Sequence, residues 1–390
     1  MALTTVSSDR LSTNVKNTNF TAAEKQDLTD DILPLAGQLG NRNLIINGAM
    51  QVAQRGTSYT GGGYATVDRF FVDYAGLDEA PTQAQVDVAS GTSPYTSGFR
   101  KAWKITNGNQ TSGAGAADLF YITQVIEAQN IAQSGWNYTS SSSNITLSFW
   151  IKSSVAQTFK GHLRADDGTQ QIYHFETGSL TADTWTKITK TIPGNSNVQF
   201  DNNNAAGLRL VIVPFAGTNF TAVDAQENAW QAYNSNIFGG KDNTSTWYTT
   251  NDATLEITGV QLEVGSVATD FEHRTFGQDL DLCMRYFQKI PSDGNLMGQV
   301  GRVNGTTVSD TNFNLTKVMR AQPSVTLDSS GGFAFEYGSN GVGVSSASVS
   351  GISAENVFMR FNLSGSATNG HATYMQLSAG SFMKCSAELT

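Results

Sequence analysis

The chain has 390 residues, 39% hydrophobic and 10% aromatic, with a formal net charge of −9. Charged residues make up only 15%, well under the usual quarter, so Ser, Thr, Asn, Gln and Gly must supply most of the polar surface. That balance excludes a basic nucleic-acid binder, since no Lys/Arg cluster is present to meet a phosphate backbone. It favours β structure with large faces buried in cores or against other subunits.

Residues 1–40 are polar and nearly free of aromatics. Thr21-Ala22-Ala23-Glu24 has the form of a capping box, predicting a short helix with Leu28 and Ile32 on one face and a stop near Pro34. So small an apolar face cannot hold a helix alone. The segment is read either as a disordered terminus or as an attachment arm ordered by a partner. No apolar leader with a cleavage-type pattern follows Met1, so no secretion signal is expected.

From about Asn41 to Phe271 the apolar pattern has period two. Ile145, Leu147, Phe149 and Ile151 share one face, and Thr146, Ser148, Trp150 and Lys152 the other. Phe99, Trp103 and Ile105 share a parity, as do Leu208, Leu210 and Ile212. Turn clusters separate such runs at Gly61-Gly62-Gly63, Asp166-Asp167-Gly168 and Pro193-Gly194-Asn195. Together they predict an antiparallel sandwich of the jelly-roll kind. The longest apolar runs, such as 208–215, are strand-sized and far short of a membrane span.

Near the end of this region the parity changes. Leu255 and Ile257 are odd, whereas Val260, Leu262 and Val264 are even. One extra residue would keep all five on the core face, which predicts a β-bulge at Thr258-Gly259.

Thr275-Phe276-Gly277-Gln278 then opens a helix with a second capping box. Phe276, Leu280, Cys283, Met284 and Phe287 form its apolar stripe, and Pro291 and Gly294 are read as its stop. The stripe predicts packing against the sandwich or a neighbouring subunit, with Cys283 as a small buried thiol. After about Asn295 the composition turns to Gly and Ser with short β runs, at 324–327, 357–363 and 374–377, predicting a second, smaller β domain.

No nucleophile elbow, Walker loop or His-Glu-x-x-His motif occurs. Gly113-Ala114-Gly115-Ala116-Ala117-Asp118 lacks the third Gly of a dinucleotide fingerprint. His162, His174, His273 and His371 are scattered, and Cys283 and Cys385 lie too far apart for a disulfide framework. Only paired acids remain as a catalytic option. Asp166-Asp167-Gly168 reads instead as a hairpin turn, and Asp30-Asp31 lies in the polar arm. Binding clues come from aromatics set among Asn, Ser and Thr: Trp136, Tyr138, Trp230, Tyr233, Trp247 and Tyr248. Such rings can stack on sugars. The competing reading has them filling core ends or subunit contacts.

Two segments carry a resemblance. Asn43 to Ser58, continued by Asp68-Arg69-Phe70, resembles the start of phage tail-fibre modules related to carbohydrate-binding jelly rolls. Gln261-Leu262-Glu263-Val264-Gly265 through Phe271-Glu272, then Leu282-Cys283-Met284-Arg285-Tyr286-Phe287-Gln288, resembles the end of the same module. Gln124-Val125-Ile126-Glu127 and Trp230-Gln231-Ala232 fall between them in order. Asp270 departs from the pattern, which usually has Pro there. The run 318–326 resembles the start of a distal β domain in such fibres.

The resemblance implies a mainly β virion protein, a tail fibre or related appendage. It would consist of an attachment arm at 1–40, a jelly roll at 41–273, a linking helix at 274–290 and a tip domain at 291–390. Its expected partners are itself, as a homotrimer, other virion tail proteins through residues 1–40, and host surface polysaccharide. No nucleic acid, no membrane insertion and no cofactor are expected; a structural Ca²⁺ occurs in similar modules, with no ligands assigned here. Asp68, Arg69 and Glu263 are expected to form buried charge pairs closing the sandwich. The expected role is non-catalytic attachment to host glycans. A structural adaptor or head fibre, and a polysaccharide depolymerase, are the alternatives.

Overall fold

The computed structural model describes residues 41–291, 296–328, 333–337, 340–377 and 382–389. The arm, with its capping box and the Asp30-Asp31 pair, lies outside them. From Asn43 onward the described residues form one compact unit.

Twelve strands build an antiparallel sandwich. One sheet runs in the order β1 (Ser58–Thr60), β3 (Thr82–Asp87), β4 (Lys101–Thr106), β12 (Thr254–Val264), β6 (Asn144–Ser153), β9 (Thr186–Pro193). The other runs β11 (Trp230–Ala232), β8 (Gln171–Ser179), β7 (Thr158–Ala165), β10 (Ala206–Ala216), β5 (Leu119–Glu127), β2 (Phe71–Ala75). The chain repeatedly crosses from sheet to sheet, and alternation then decides which side chains meet between them. Ile145, Leu147, Phe149 and Ile151 all face the core, as do Leu208, Leu210 and Ile212. Phe99 does not follow Trp103 and Ile105 inward. It precedes β4 and packs on the outer side with Ala49, Val88 and Ala102.

The bulge is present. Thr258 pairs with Trp150 and Gln261 with Ser148, so three steps on β12 oppose two on β6. Gly259 takes φ +63, and a Cβ there would lie 2.6 Å from the Phe99 ring. Leu255, Ile257, Val260 and Leu262 consequently all reach the core, with Val264 packed at its margin. The run 166–168 lies in the hairpin between β7 and β8, with Gly168 at φ +61. Asp166 meanwhile bonds Arg164 and Arg209.

The helix is shorter than its sequence pattern suggests. It spans Phe276–Met284 behind the expected Thr275/Gln278 capping box. Phe287–Pro291 is already a strand, β13, paired with β21 (Phe382–Ser386). The apolar stripe is split accordingly. Cys283 and Phe287 are buried, Phe287 as part of the strand, while Phe276 at the helix start is 55% exposed. β16 (Ser324–Asp328) pairs with the far side of β21. Beyond it, β14 (Leu296–Val303), β15 (Val308–Asn314), β19 (Asn356–Leu363), β18 (Asn340–Ile352), β17 (Phe333–Tyr337) and β20 (Ala372–Leu377) pair around a closed ring. Val303, Phe313, Val357, Met359 and Phe361 fill this second, smaller core.

The expected charge pairs take other partners. Arg69 pairs with Glu388, and Asp68 lies 3.6 Å from Arg55. Glu263 accepts from Thr269 N at 2.9 Å and Thr269 Oγ1 at 2.6 Å, holding the strap that follows β12. The segment after β21 thus returns to the sandwich, which sequence proximity could not reveal.

Candidate functional site

The sandwich offers two outer faces. That of the second sheet is covered by the segment 217–245: Phe220, Tyr233 and Phe238 pack on Val211 and Val213. His162 and His174 lie beneath it, 5.6 Å apart between ring centroids and nearly perpendicular.

The outer face of the first sheet carries a cleft of about 450 Å³. Its floor follows from alternation. With the odd residues of β6 committed to the core, Ser148, Trp150 and Lys152 must face outward. Pairing places Trp150 opposite Lys187 on β9. It also places Glu256 of β12 between Lys104 on β4 and Lys152 on β6. Trp185, just before β9, packs into the same outer cluster as Trp150, Phe99 and Phe271. Lys152 Nζ stands 5.2 Å from the Trp185 ring centroid and 3.0 Å from Glu256 Oε1. Trp150 and Trp185 are both half-buried.

The rim comes from two loops, Thr96 to Phe99 and Thr269 to His273. Phe99 meets Phe271 edge-on at 4.8 Å, and His273 Nε2 lies 3.0 Å from Ser97 O. Gln261 Oε1 accepts from Glu272 N at 2.7 Å, so Gln261 and Glu263 both anchor the second loop from beneath. The bare backbone of Gly259 admits Phe99 and so joins the two rims. Half-buried rings among hydroxyl, ammonium and carboxylate groups suit an amphipathic ligand with apolar faces and polar edges.

The residues singled out from the sequence lie elsewhere. Trp247 and Tyr248 are fully buried. Trp247 Nε1 donates to Thr254 O at 3.1 Å, and Tyr248 stacks on Phe215 at 4.4 Å with its hydroxyl donating to Asp118. Packing leaves neither ring a face for a sugar. Trp136 is buried too, set edge-on to half-buried Tyr138 at 6.2 Å. Trp230 is half-buried, its indole donating to Pro193 O at 2.7 Å and its ring 5.5 Å from Tyr173. Tyr233 lies beneath Arg164, whose guanidinium is 4.7 Å from its centroid. Only Trp136 and Tyr138 are thus brought together. Trp150 was legible as an outward ring; Trp185, in a loop, gave no periodic signal. Among the described residues no group of three or more His, Cys, Asp or Glu is arranged to hold a metal.

No family model and no curated protein matches the chain. Among solved structures it is similar to the enzymatically active domain of tailspike protein 4 of bacteriophage CBA120, at 11% identity over 57% of this chain and 21% of that one, TM-score 0.30. The chain therefore spans about a fifth of that tailspike's length. It is also similar to a putative sugar binding protein from Bacteroides thetaiotaomicron, at 13% identity over 57% of this chain and all of that one (100%), TM-score 0.32. A third is the family 11 carbohydrate-binding module of a Clostridium thermocellum cellulase, at 10% identity over 56% and 98%, TM-score 0.25. Likenesses this slight carry no argument; the sandwich rests on its own strand pairing.

Proposed function

We propose that the protein is a non-catalytic virion appendage of the tail-fibre kind, whose sandwich binds a host-surface polysaccharide in the cleft of the first sheet. The observation that carries this reading is Trp150, a half-buried ring in the lining of the cleft, with half-buried Trp185 in the same outer apolar cluster beside it. Apolar rings gathered into one partly exposed patch mark a binding surface more often than a single exposed ring does. Glu256, farther along the same sheet face, is engaged by Lys152 at 3.0 Å, which suits binding better than proton transfer. Attachment of residues 1–40 to other virion proteins and assembly as a homotrimer belong to the same proposal. A particle bearing many copies multiplies a weak single-site affinity.

The test is binding of host surface polysaccharide by the full chain, compared with Trp150→Ala and Trp185→Ala. Each variant should weaken binding about tenfold, the loss of one stacked ring, with no release of reducing ends by any form. Unchanged binding by both variants would sink the site. Reducing-end release would sink the non-catalytic reading. Sedimentation of the full chain as anything but a trimer would remove the trimer.

A further inference from the structure

We infer that the segment 217–245 is an acid-released cover: protonation of His162 and His174 lifts it from the second sheet while the sandwich beneath stays folded. Alternation sets the site. Phe159, Leu163, Tyr173 and Phe175 face the core, so His162 on β7 and His174 on β8 point to the outer side. They stand directly opposite each other across the two strands. The cover closes over them. Phe238 lies 4.9 Å from the His162 ring, Glu227 bridges to His174, and Asn228 N donates to His174 O at 2.8 Å. In this space none of the four ring nitrogens makes a well-formed hydrogen bond. A neutral imidazole tolerates that cost far better than an imidazolium, which carries a charge and two donors.

The charges that face the pair are already matched. Lys160 on β7 bonds Glu176 on β8 at 3.0 Å and Glu227 on the cover at 2.9 Å. Arg164 on β7 and Arg209 on β10 share Asp166. Val211 of β10, directly opposite His162, is apolar. Farther out, Tyr121 on β5 donates to Asp73 at 2.6 Å, and Tyr233 of the cover lies under Arg164. The cover's remaining charges, Asp224, Lys241 and Asp242, are exposed. Around the pair three cations therefore meet three carboxylates, and two imidazolium charges would be left unbalanced. The far side of the sheet is sandwich core, so water reaches the rings from the cover's side. The cover's strand, β11, is three residues long, and lifting a surface segment costs less than unfolding the sandwich. Release bares Val211 and Val213 beside Leu119 and Tyr121, an apolar strip open only in acid. A freed imidazole titrates near 6.5, whereas burial, then Lys160, holds His174 down to about 4. Between about pH 7.5 and about pH 4.5 the opening constant should therefore rise about 50- to 100-fold through His174 alone.

Hydrogen exchange of the full chain, followed by mass spectrometry at those two pH values and corrected for intrinsic rates, tests this. Asn228 N, bonded to His174 O, and Tyr233 N, bonded to Gln170 O, tie the cover to the sheet. These amides should lose at least about 50-fold of their protection in acid. Their exchange should not respond to urea below the unfolding midpoint, as local opening exposes little surface. Strand β6 should stay better protected at both pH values and should respond to urea. The His162→Leu/His174→Leu double variant, shown folded by circular dichroism, should keep its cover protected in acid; if it does not fold, the native chain's two profiles decide. Cover and β6 amides sharing one protection and one urea response would mean that the fold opens only as a whole, which overturns the inference. So does a folded double variant whose cover still loses protection in acid. Unchanged cover protection in the native chain also overturns it, as does a rise, in which Glu227 turns its unbonded Oε2 to the new imidazolium and tightens the cover.

Discussion

Glu388 and Arg69, 319 residues apart in sequence, form an ion pair buried at the edge of the sandwich. Arg69 also donates to Val125 O at 2.6 Å and lies 3.4 Å from the Tyr286 ring centroid. Glu388 meets a second guanidinium, that of Arg55, at 3.1 Å, itself 3.5 Å from the Phe287 centroid. Glu388 thus bridges two buried cations, one of which, Arg55, also has Asp68 at 3.6 Å, and ties the end of the smaller core to the larger.

Removing that carboxylate leaves the Arg69 guanidinium in a low-dielectric site without its acid, while Arg55 keeps Asp68. Breaking a buried pair from one side costs about 3–5 kcal/mol. Glu388→Gln should lower the urea midpoint accordingly with little change in slope. Adding Arg69→Met should cost less than the sum of the single changes. A loss under about 1 kcal/mol for Glu388→Gln would show that solvent already screens the cluster.

Gly259 yields a second prediction. Its φ of +63 strains any side chain, and an added Cβ would lie 2.6 Å from the Phe99 ring. Strain and overpacking each cost about 1–3 kcal/mol. Gly259→Ala should therefore destabilise the sandwich by about 2–4 kcal/mol in chemical denaturation. Because Phe99 joins the cleft rims, it should also weaken ligand binding more than an equally destabilising core change such as Ile151→Ala. Equal binding losses would mean that the rim does not depend on the bulge.

The sandwich and its bulge were legible because both are written in side-chain parity, which one buried face enforces. Ile145 to Ile151, and the switch between Ile257 and Val260, needed no long-range knowledge. The helix was overread because Phe287 fits a helical stripe as well as a strand; only pairing with β21 decides between them. Asp68, Arg69 and Glu263 were rightly read as buried, but their partners Arg55, Glu388 and Thr269 are set by chain return and loop closure. Trp247 and Tyr248 looked like ligand rings because Asn, Ser and Thr surround them. A four-residue helix, Thr246–Thr249, turns both into the core.

That distinction can be measured. Trp247→Phe removes a buried indole, with its hydrogen bond to Thr254 O, and should cost about 1–3 kcal/mol of stability. Glycan affinity of the folded fraction should not change. Trp185→Ala should do the opposite, lowering affinity with a smaller loss of stability. If Trp247→Phe lowered affinity at constant stability, the candidate cleft would be misplaced.

The two buried imidazoles give the protein its expected pH response. His162 and His174 are 0% and 1% exposed, and none of their four ring nitrogens makes a well-formed hydrogen bond. Burial holds His162 well below the usual histidine range, reinforced by His174, Arg164 and Arg209. Burial, then Lys160, pulls His174 down to about 4. Glu227 and Glu176 face the site, but both are bonded to Lys160. Folding therefore favours the neutral rings. Their contribution is complete above the unfolded value near 6.5 and is lost as pH falls toward the folded values. For His174 the fall from 6.5 to about 4 is worth about 3 kcal/mol in the acid limit. Asp68 acts in the other sense: burial raises it to about 6 despite Arg55, so its protonation favours the fold below that pH. Melting temperature should drop between pH 6.5 and 4 in the native chain. The drop should be steeper in Asp68→Asn and largely gone in the His162→Gln/His174→Gln double variant. A double variant that still lost stability in parallel with the native chain would place the acid response outside this pair.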